Sequence, residues 1–170
     1  LNLFHYLYPY LQKDGAHHYS KALFPQGGIR DMRMFCKDKR IVEVQFSIPM
    51  EEIKNIEKIL EIIKYNFKPI SCSLKILSKP EKFNNLSFCQ EGVAINFDIP
   101  SNKVNLKIIE NLYTLLIEIG GKVNLSKDSL LNEKQFKAMY PEFKNWIKAV
   151  KKVDPNDNFQ SSLSKRLGMK

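Results

Sequence analysis

Three short stretches alternate apolar and polar residues with a period of two. In RIVEVQFSIP (40–49), Val42, Val44, Phe46 and Ile48 fall on one side and Glu43, Gln45 and Ser47 on the other. In ISCSLKIL (70–77), Ile70, Cys72, Leu74 and Ile76 oppose Ser71, Ser73 and Lys75. In VAINFDIP (93–100), Val93, Ile95, Phe97 and Ile99 oppose Ala94, Asn96 and Asp98. Successive side chains on a strand point to opposite faces, so this period predicts half-buried strands and excludes helix over the same residues. Pro49 and Pro100 cannot donate to a ladder and mark two strand ends.

Between the strands the period changes to that of a helix. MEEIKNIEKILEIIKYNF (50–67) places Ile53, Ile56, Leu60, Ile63 and Phe67 at helical spacing, with Glu51 and Glu52 in the first turn, where the helix dipole favours anions. After Pro100, Ser101 or Asn102 is placed to cap a helix running to about Ile119 through Ile108, Leu112, Leu115 and Leu116. Gly120 is its natural left-handed stop. KPEKFNNLSFCQEG (79–92) reads as a loop and KVNL (122–125) as a short strand. The tail reads as three helical pieces: about Glu133 to Met139, Pro141 to about Lys152, and Ser161 to Leu167. The order strand, helix, strand, strand, helix, strand, helical tail predicts an α+β fold. Its sheet is mostly antiparallel with helices on one face, in a ferredoxin-like split β-α-β arrangement. Residues 1–40 form an irregular N-terminal segment with a turn at PQGG (25–28), and 41–170 form the domain proper.

The chain has 170 residues, 44% of them hydrophobic, enough for a real core. No apolar run approaches the length of a membrane span, and the start, LNLFHYLYPYLQ, lacks the pattern of a signal peptide. Cys36, Cys72 and Cys89 are odd in number and widely spaced, which fits free thiols in a reducing compartment. His5, His17 and His18 add too little for a zinc site, and His17 and His18 fall in an expected surface loop. Trp146, with Ile147 and Val150, is expected in a helix core. Lys and Arg total 27 against 18 Asp and Glu, a net charge of +9. Arginine stands only at 30, 33, 40 and 166, and the lysines are interleaved with acids along the whole chain. Sequence-reading proteins use arginine forks, and single-strand binders set aromatics beside cations, so specific nucleic-acid recognition is not expected. An anionic membrane surface or a phosphorylated substrate suits this charge better. Glycine-rich dinucleotide and phosphate loops and the nucleophile-elbow motif are absent from the sequence.

The polar sides of the three strands stand apart from this Lys/Glu surface. They carry Gln45, Ser47, Ser71, Ser73 and Asn96, with Glu43, Lys75 and Asp98 as the charged members. Short hydroxyls and amides are what a hydrogen-bonding pocket uses, although a wet sheet face or one covered by another domain gives the same pattern.

Six stretches occur in one order: FPQGGIRDMRMF (24–35), VQFSIP (44–49), GVAINFDIP (92–100), GGKVNLSKDS (120–129), FKAMYPEFKNWIKAVKKVDPNDNF (136–159) and SSLSKRLG (161–168). Together they resemble the C-terminal substrate domain of FAD-linked oxidases of the vanillyl-alcohol-oxidase type. Within it they resemble the branch of decaprenylphosphoryl-ribose, sugar-alcohol and aldonolactone oxidases. The resemblance runs from about residue 24 to the end, and the tail is its most specific part. It implies that FAD is bound mainly by an N-terminal domain absent from this chain, that this chain is a fragment inactive alone, and that its sheet lies over the flavin.

By the same resemblance Lys127 matches the family lysine before Asp-Ser, close to the flavin and the reacting hydroxyl. Gln45 matches a substrate-contacting glutamine, and Glu43 stands where the branch has another glutamine. Lys75 matches a pocket lysine, with Ser78 in place of a following glycine. Asn96 occupies a pocket-wall position that is cysteine in some members, and Asn124 replaces an aromatic on the flavin side. A buried cation at Lys127 would stabilise the charge gained by reduced flavin and orient the substrate oxygen. Asp128 or Ser129 is expected to orient that lysine or to cap the next helix. The implied activity is oxidation of a CH–OH group of a sugar or polyprenyl-phosphate sugar by hydride transfer to flavin N5. The expected location is cytoplasmic, peripheral at the inner face of the membrane. A non-enzymatic α+β binding module and a basic nucleic-acid or membrane-surface module stand as alternatives at this stage.

Overall fold

A computed structural model describes residues 40–80 and 86–169. Cys36, His5, His17, His18, Arg30, Arg33, the stretch 24–35 and the centre of the 79–92 loop lie outside the described residues. The described strands are β1 (Ile41–Pro49), β2 (Ser71–Leu77), β3 (Gly92–Pro100) and β4 (Lys122–Val123). The described helices are α1 (Ile56–Phe67), α2 (Leu106–Glu118), α3 (Glu133–Met139), α4 (Phe143–Val153) and α5 (Ser162–Arg166). The sheet order is β2-β3-β1-β4, with every neighbouring pair antiparallel. β3 therefore lies between β1 and the parallel β2, and β1 between β3 and the parallel β4. These are two interlocked split β-α-β units, the α+β architecture the alternating pattern predicts.

The apolar sides of β1 and β3 form the core with α1 and α2. Val44, Phe46, Ile48, Ile95, Phe97 and Ile99 are buried against Ile59, Ile63 and Phe67 of α1 and Ile109, Leu112 and Leu116 of α2. Phe97 packs between Phe46 and Phe67, at ring-centroid distances of 6.4 and 5.7 Å. Each such fully buried side chain stabilises by about 1.5–3 kcal/mol.

Local geometry departs from the sequence pattern in four places. Residues 50–55 form a 3-10 helix, so α1 starts six residues later than the apolar spacing indicates, and Ile53 is exposed. The cap of α2 is Asn105, whose side chain accepts from Lys107 N and Ile108 N, because Ser101–Lys103 are taken up in a 3-10 turn. On β2, Leu74 and Ile76 share the core face by register with Ile95 and Val93, yet they are 48% and 82% exposed and Cys72 is exposed too. β2 is an edge strand, and an alternating pattern fixes which face a residue takes, not whether a helix reaches over it. Trp146 is only half-buried, and α4 buries none of its residues fully. The expected stop at Gly120 is present, with φ of +70°.

Candidate functional site

The register places the polar residues of the strands in three rows on one face. Ser71, Asp98 and Glu43 form the first row, and Ser73, Asn96 and Gln45 the second. The third contains Lys75, Ala94, Ser47 and, across on β4, Lys122. Backbone pairing continues past β4, where Asn124 N donates to Gln45 O at 2.8 Å. Asn124 thereby joins the amide row, and its Nδ2 donates to Gln45 Oε1 at 2.6 Å. Lys127 reaches the first row, donating to Glu43 Oε2 at 2.9 Å. The six residues singled out in the sequence (Glu43, Gln45, Lys75, Asn96, Asn124 and Lys127) thus come together on one side of the sheet.

The third row is partly closed. Ser47 is buried and its Oγ donates to Phe88 O at 2.5 Å, so its hydroxyl belongs to the packing of the 86–90 segment and is not free for a ligand. Lys75 lies on the exposed edge strand. In the first two rows Ser73 is exposed and the other residues are half-buried. There Asn96 presents a buried Oδ1 with no hydrogen-bond partner. An unmade bond at a buried acceptor costs about 1–3 kcal/mol, which makes this amide the place where an added donor gains most.

The first row is charged and internally biased. Asp98 lies directly across the strands from Glu43, and Ser71 Oγ donates to its Oδ2 at 2.5 Å. Burial pushes the Asp98 carboxyl above the usual carboxylate range. The Ser71 hydrogen bond opposes this, the like charge of Glu43 adds to it, and Lys127 opposes it again. The Cys72 thiol, on an exposed residue, is raised as well by the partial burial of its sulfur and then by Asp98.

Lys127 is not the buried cation expected: its side chain is 45% exposed. Nor do its sequence neighbours orient it. The Asp128 side chain is fully buried and turned away, accepting from Tyr113 Oη at 3.3 Å and from the N–H groups of Leu130 and Leu131 at 3.0 and 2.9 Å. Arg166 Nη1 donates to the same carboxylate at 2.9 Å and also to Leu131 O, while Nη2 donates to Asp128 O at 3.2 Å. The next helix, α3, is capped instead by Asn132 in a capping box with Gln135. Asp128 therefore acts on the loop backbone. It fixes residues 124–131 to α2 and to the chain end, and Glu43 sets the direction of Lys127. Burial raises the Tyr113 phenol, reinforced by the Asp128 charge, so it stays a donor. Gly168, at φ +63°, ends α5 where a Cβ would run into the Glu133 side chain, which explains the glycine after Arg166-Leu167.

Sequence reasoning passed over Asp98 and Arg166 as site residues. Asp98 carried a usable signal, the same parity as Asn96 on the same strand. Arg166 carried none, since its partner lies 38 residues away. Among the described residues no group of three or more His, Cys, Asp or Glu is placed to hold a metal ion, and no helix is long and apolar enough to cross a membrane.

No family model matches the chain. Over 126 residues, 74% of the chain, it is 28% identical to decaprenylphosphoryl-beta-D-ribose oxidase of Mycolicibacterium smegmatis, of which it covers 27%. Over 85 residues, 49% of the chain, it is 31% identical to an uncharacterized protein in the mprA 5' region of Streptomyces coelicolor, of which it covers 23%. The chain thus spans about a quarter of the length of these curated relatives. The first likeness supports an oxidoreductase-related domain.

Proposed function

We propose that this chain is the substrate-facing part of an FAD-dependent oxidoreductase that oxidises a CH–OH group of a sugar or polyprenyl-phosphate sugar. Its partner is an N-terminal FAD-binding domain of the same protein. The observation that carries the reading is the convergence of Lys127, Glu43, Gln45, Asn124 and Asn96 on one sheet face, with the buried Asn96 oxygen lacking a donor. The donor set fits a flavin with a hydroxylated substrate. Lys127 supplies a half-exposed ammonium for negative charge, and the amide row supplies directional hydrogen bonds for hydroxyls. When bound, FAD supplies the acceptor for the hydride. The residues of this chain position the carbinol, orient its oxygen and hold its proton. Lys75, at the far end of the face, carries a cation suited to an anionic group on the substrate, and by the family resemblance it matches a pocket lysine.

Protein expressed from its complete reading frame is expected to be yellow, and Lys127→Ala to slow flavin reduction by substrate while flavin stays bound. Normal reduction kinetics in that variant would remove Lys127 from the site. The isolated 170-residue chain is expected not to retain FAD, which equilibrium dialysis checks.

A second reading concerns location. Lys144, Lys148 and Lys152 follow one another at four-residue spacing on the exposed side of α4, which ends beside the exposed Val153 and Phe159. This stripe supports peripheral attachment to an anionic membrane surface at the inner, cytoplasmic face. Salt-sensitive binding to phosphatidylserine vesicles, lost in a triple Lys→Glu variant, is the expected result.

A further inference from the structure

We propose that Asp98, set across the strands from Glu43, accepts the proton of the hydroxyl oxidised at this face; the proposal rests on the oxidoreductase reading above. Oxidation of a carbinol breaks two bonds to hydrogen. The C–H hydrogen leaves with its electron pair to the oxidant, a flavin, and the O–H proton leaves to a base as C–O becomes C=O. The amides of Gln45, Asn96 and Asn124 and the hydroxyls of Ser71 and Ser73 are not bases at neutral pH. Lys127 donates to Glu43 at 2.9 Å, and an ammonium has no lone pair to accept a proton.

Among the described residues at the first two rows, the two carboxylates are what is left. They are direct cross-strand partners, so their Cβ atoms lie about 4.5–5.5 Å apart, near enough for the Glu43 charge to act on Asp98. Their surroundings separate them. Glu43 is engaged with Lys127, whereas Asp98 is held by the neutral Ser71 hydroxyl at 2.5 Å. Among the described residues, the charged and titratable groups that act on Asp98 or that it acts on are Glu43 from β1, Cys72 from β2 and Lys127 from the loop after β4. Burial raises the Asp98 carboxyl above its ordinary value and Glu43 adds to this, against Ser71 and Lys127, which makes it a better proton acceptor than a free aspartate. Glu43 is then a positioning residue that acts on both Lys127 and Asp98.

Two measurements test this. In flavin-loaded protein from the complete reading frame, Asp98→Asn is expected to slow flavin reduction by about 10²–10⁴-fold with the bound-flavin spectrum unchanged. The variant is also expected to lose the acid limb of the pH profile. Glu43→Gln should move that limb to lower pH and Lys127→Met to higher pH, and these shifts serve as the test if Asp98→Asn fails to fold. In the 170-residue chain, carboxyl-carbon NMR is expected to show Asp98 titrating above its ordinary value and falling when Glu43→Gln is introduced. A wild-type rate and acid limb in Asp98→Asn, or an Asp98 titration indifferent to Glu43, overturns the acceptor role alone. A complete protein that binds no flavin overturns the oxidoreductase reading and the acceptor role together, so the two failures are distinguishable.

Discussion

The two faces of the sheet are made by the same strands, β1 and β3, yet they differ in how completely they are finished. On the core face every inward residue from Val44 to Ile48 and from Val93 to Ile99 is buried against apolar neighbours. On the polar face Glu43 faces Asp98, the oxygen of Asn96 has no partner, and Lys127 is half-exposed. A domain that needed only stability would not juxtapose like charges directly across two strands or leave an acceptor unpaired, since each is destabilising. The core face holds the fold, and the polar face carries the groups on which the proposed function rests.

This contrast can be broken from either side. Phe97→Ala empties the centre of the core face between Phe46 and Phe67 and is expected to cost about 3–5 kcal/mol, read as a lower urea midpoint with an unchanged slope. Asp128→Asn lies between the two regimes. It weakens the Arg166 and backbone hydrogen bonds that fix the Lys127 loop and is expected to cost about 1–3 kcal/mol. Hydrogen exchange that quickens at Leu130 and Leu131 before β1 and β3 are affected would place the loss in the loop.

The smallest stability effect is expected on the polar face, and its sign depends on pH. Because the folded state raises the Asp98 carboxyl, its stabilising contribution is full below the unfolded value, about 3.9, and is lost as pH rises through the folded one. Asp98→Asn should therefore be nearly neutral at pH 3 and stabilising at pH 7. A thermal midpoint that falls at pH 7 in this variant would show that the face is a structural network after all.

How much of this was legible in advance depends on the range of the forces involved. The parity of β1 and β3 separated Phe46 and Phe97 from Gln45 and Asn96, because a strand alternates whatever surrounds it. The same rule misled at β2, where Ile76 has the right parity and no cover, and helical spacing misled at Ile53, where a 3-10 turn shifts the phase. Caps were legible by residue type but not by position: Asn105 took the role expected of Ser101 or Asn102. Lys127 was found through its family likeness, yet its partner was not, since Glu43 lies 84 residues earlier and only the sheet register brings the two together.

By itself, then, the sequence determined the order of elements and the face each strand residue takes, while Lys127 and Asn124 came from the family resemblance. Periodicity and turn chemistry are local, and they act before any tertiary contact forms. The tertiary structure alone decided that Glu43 directs Lys127, that Arg166 and Asp128 anchor its loop, and that Asp98 meets Glu43. Those are contacts between segments far apart in the chain, fixed by strand order and packing, which local patterns do not encode.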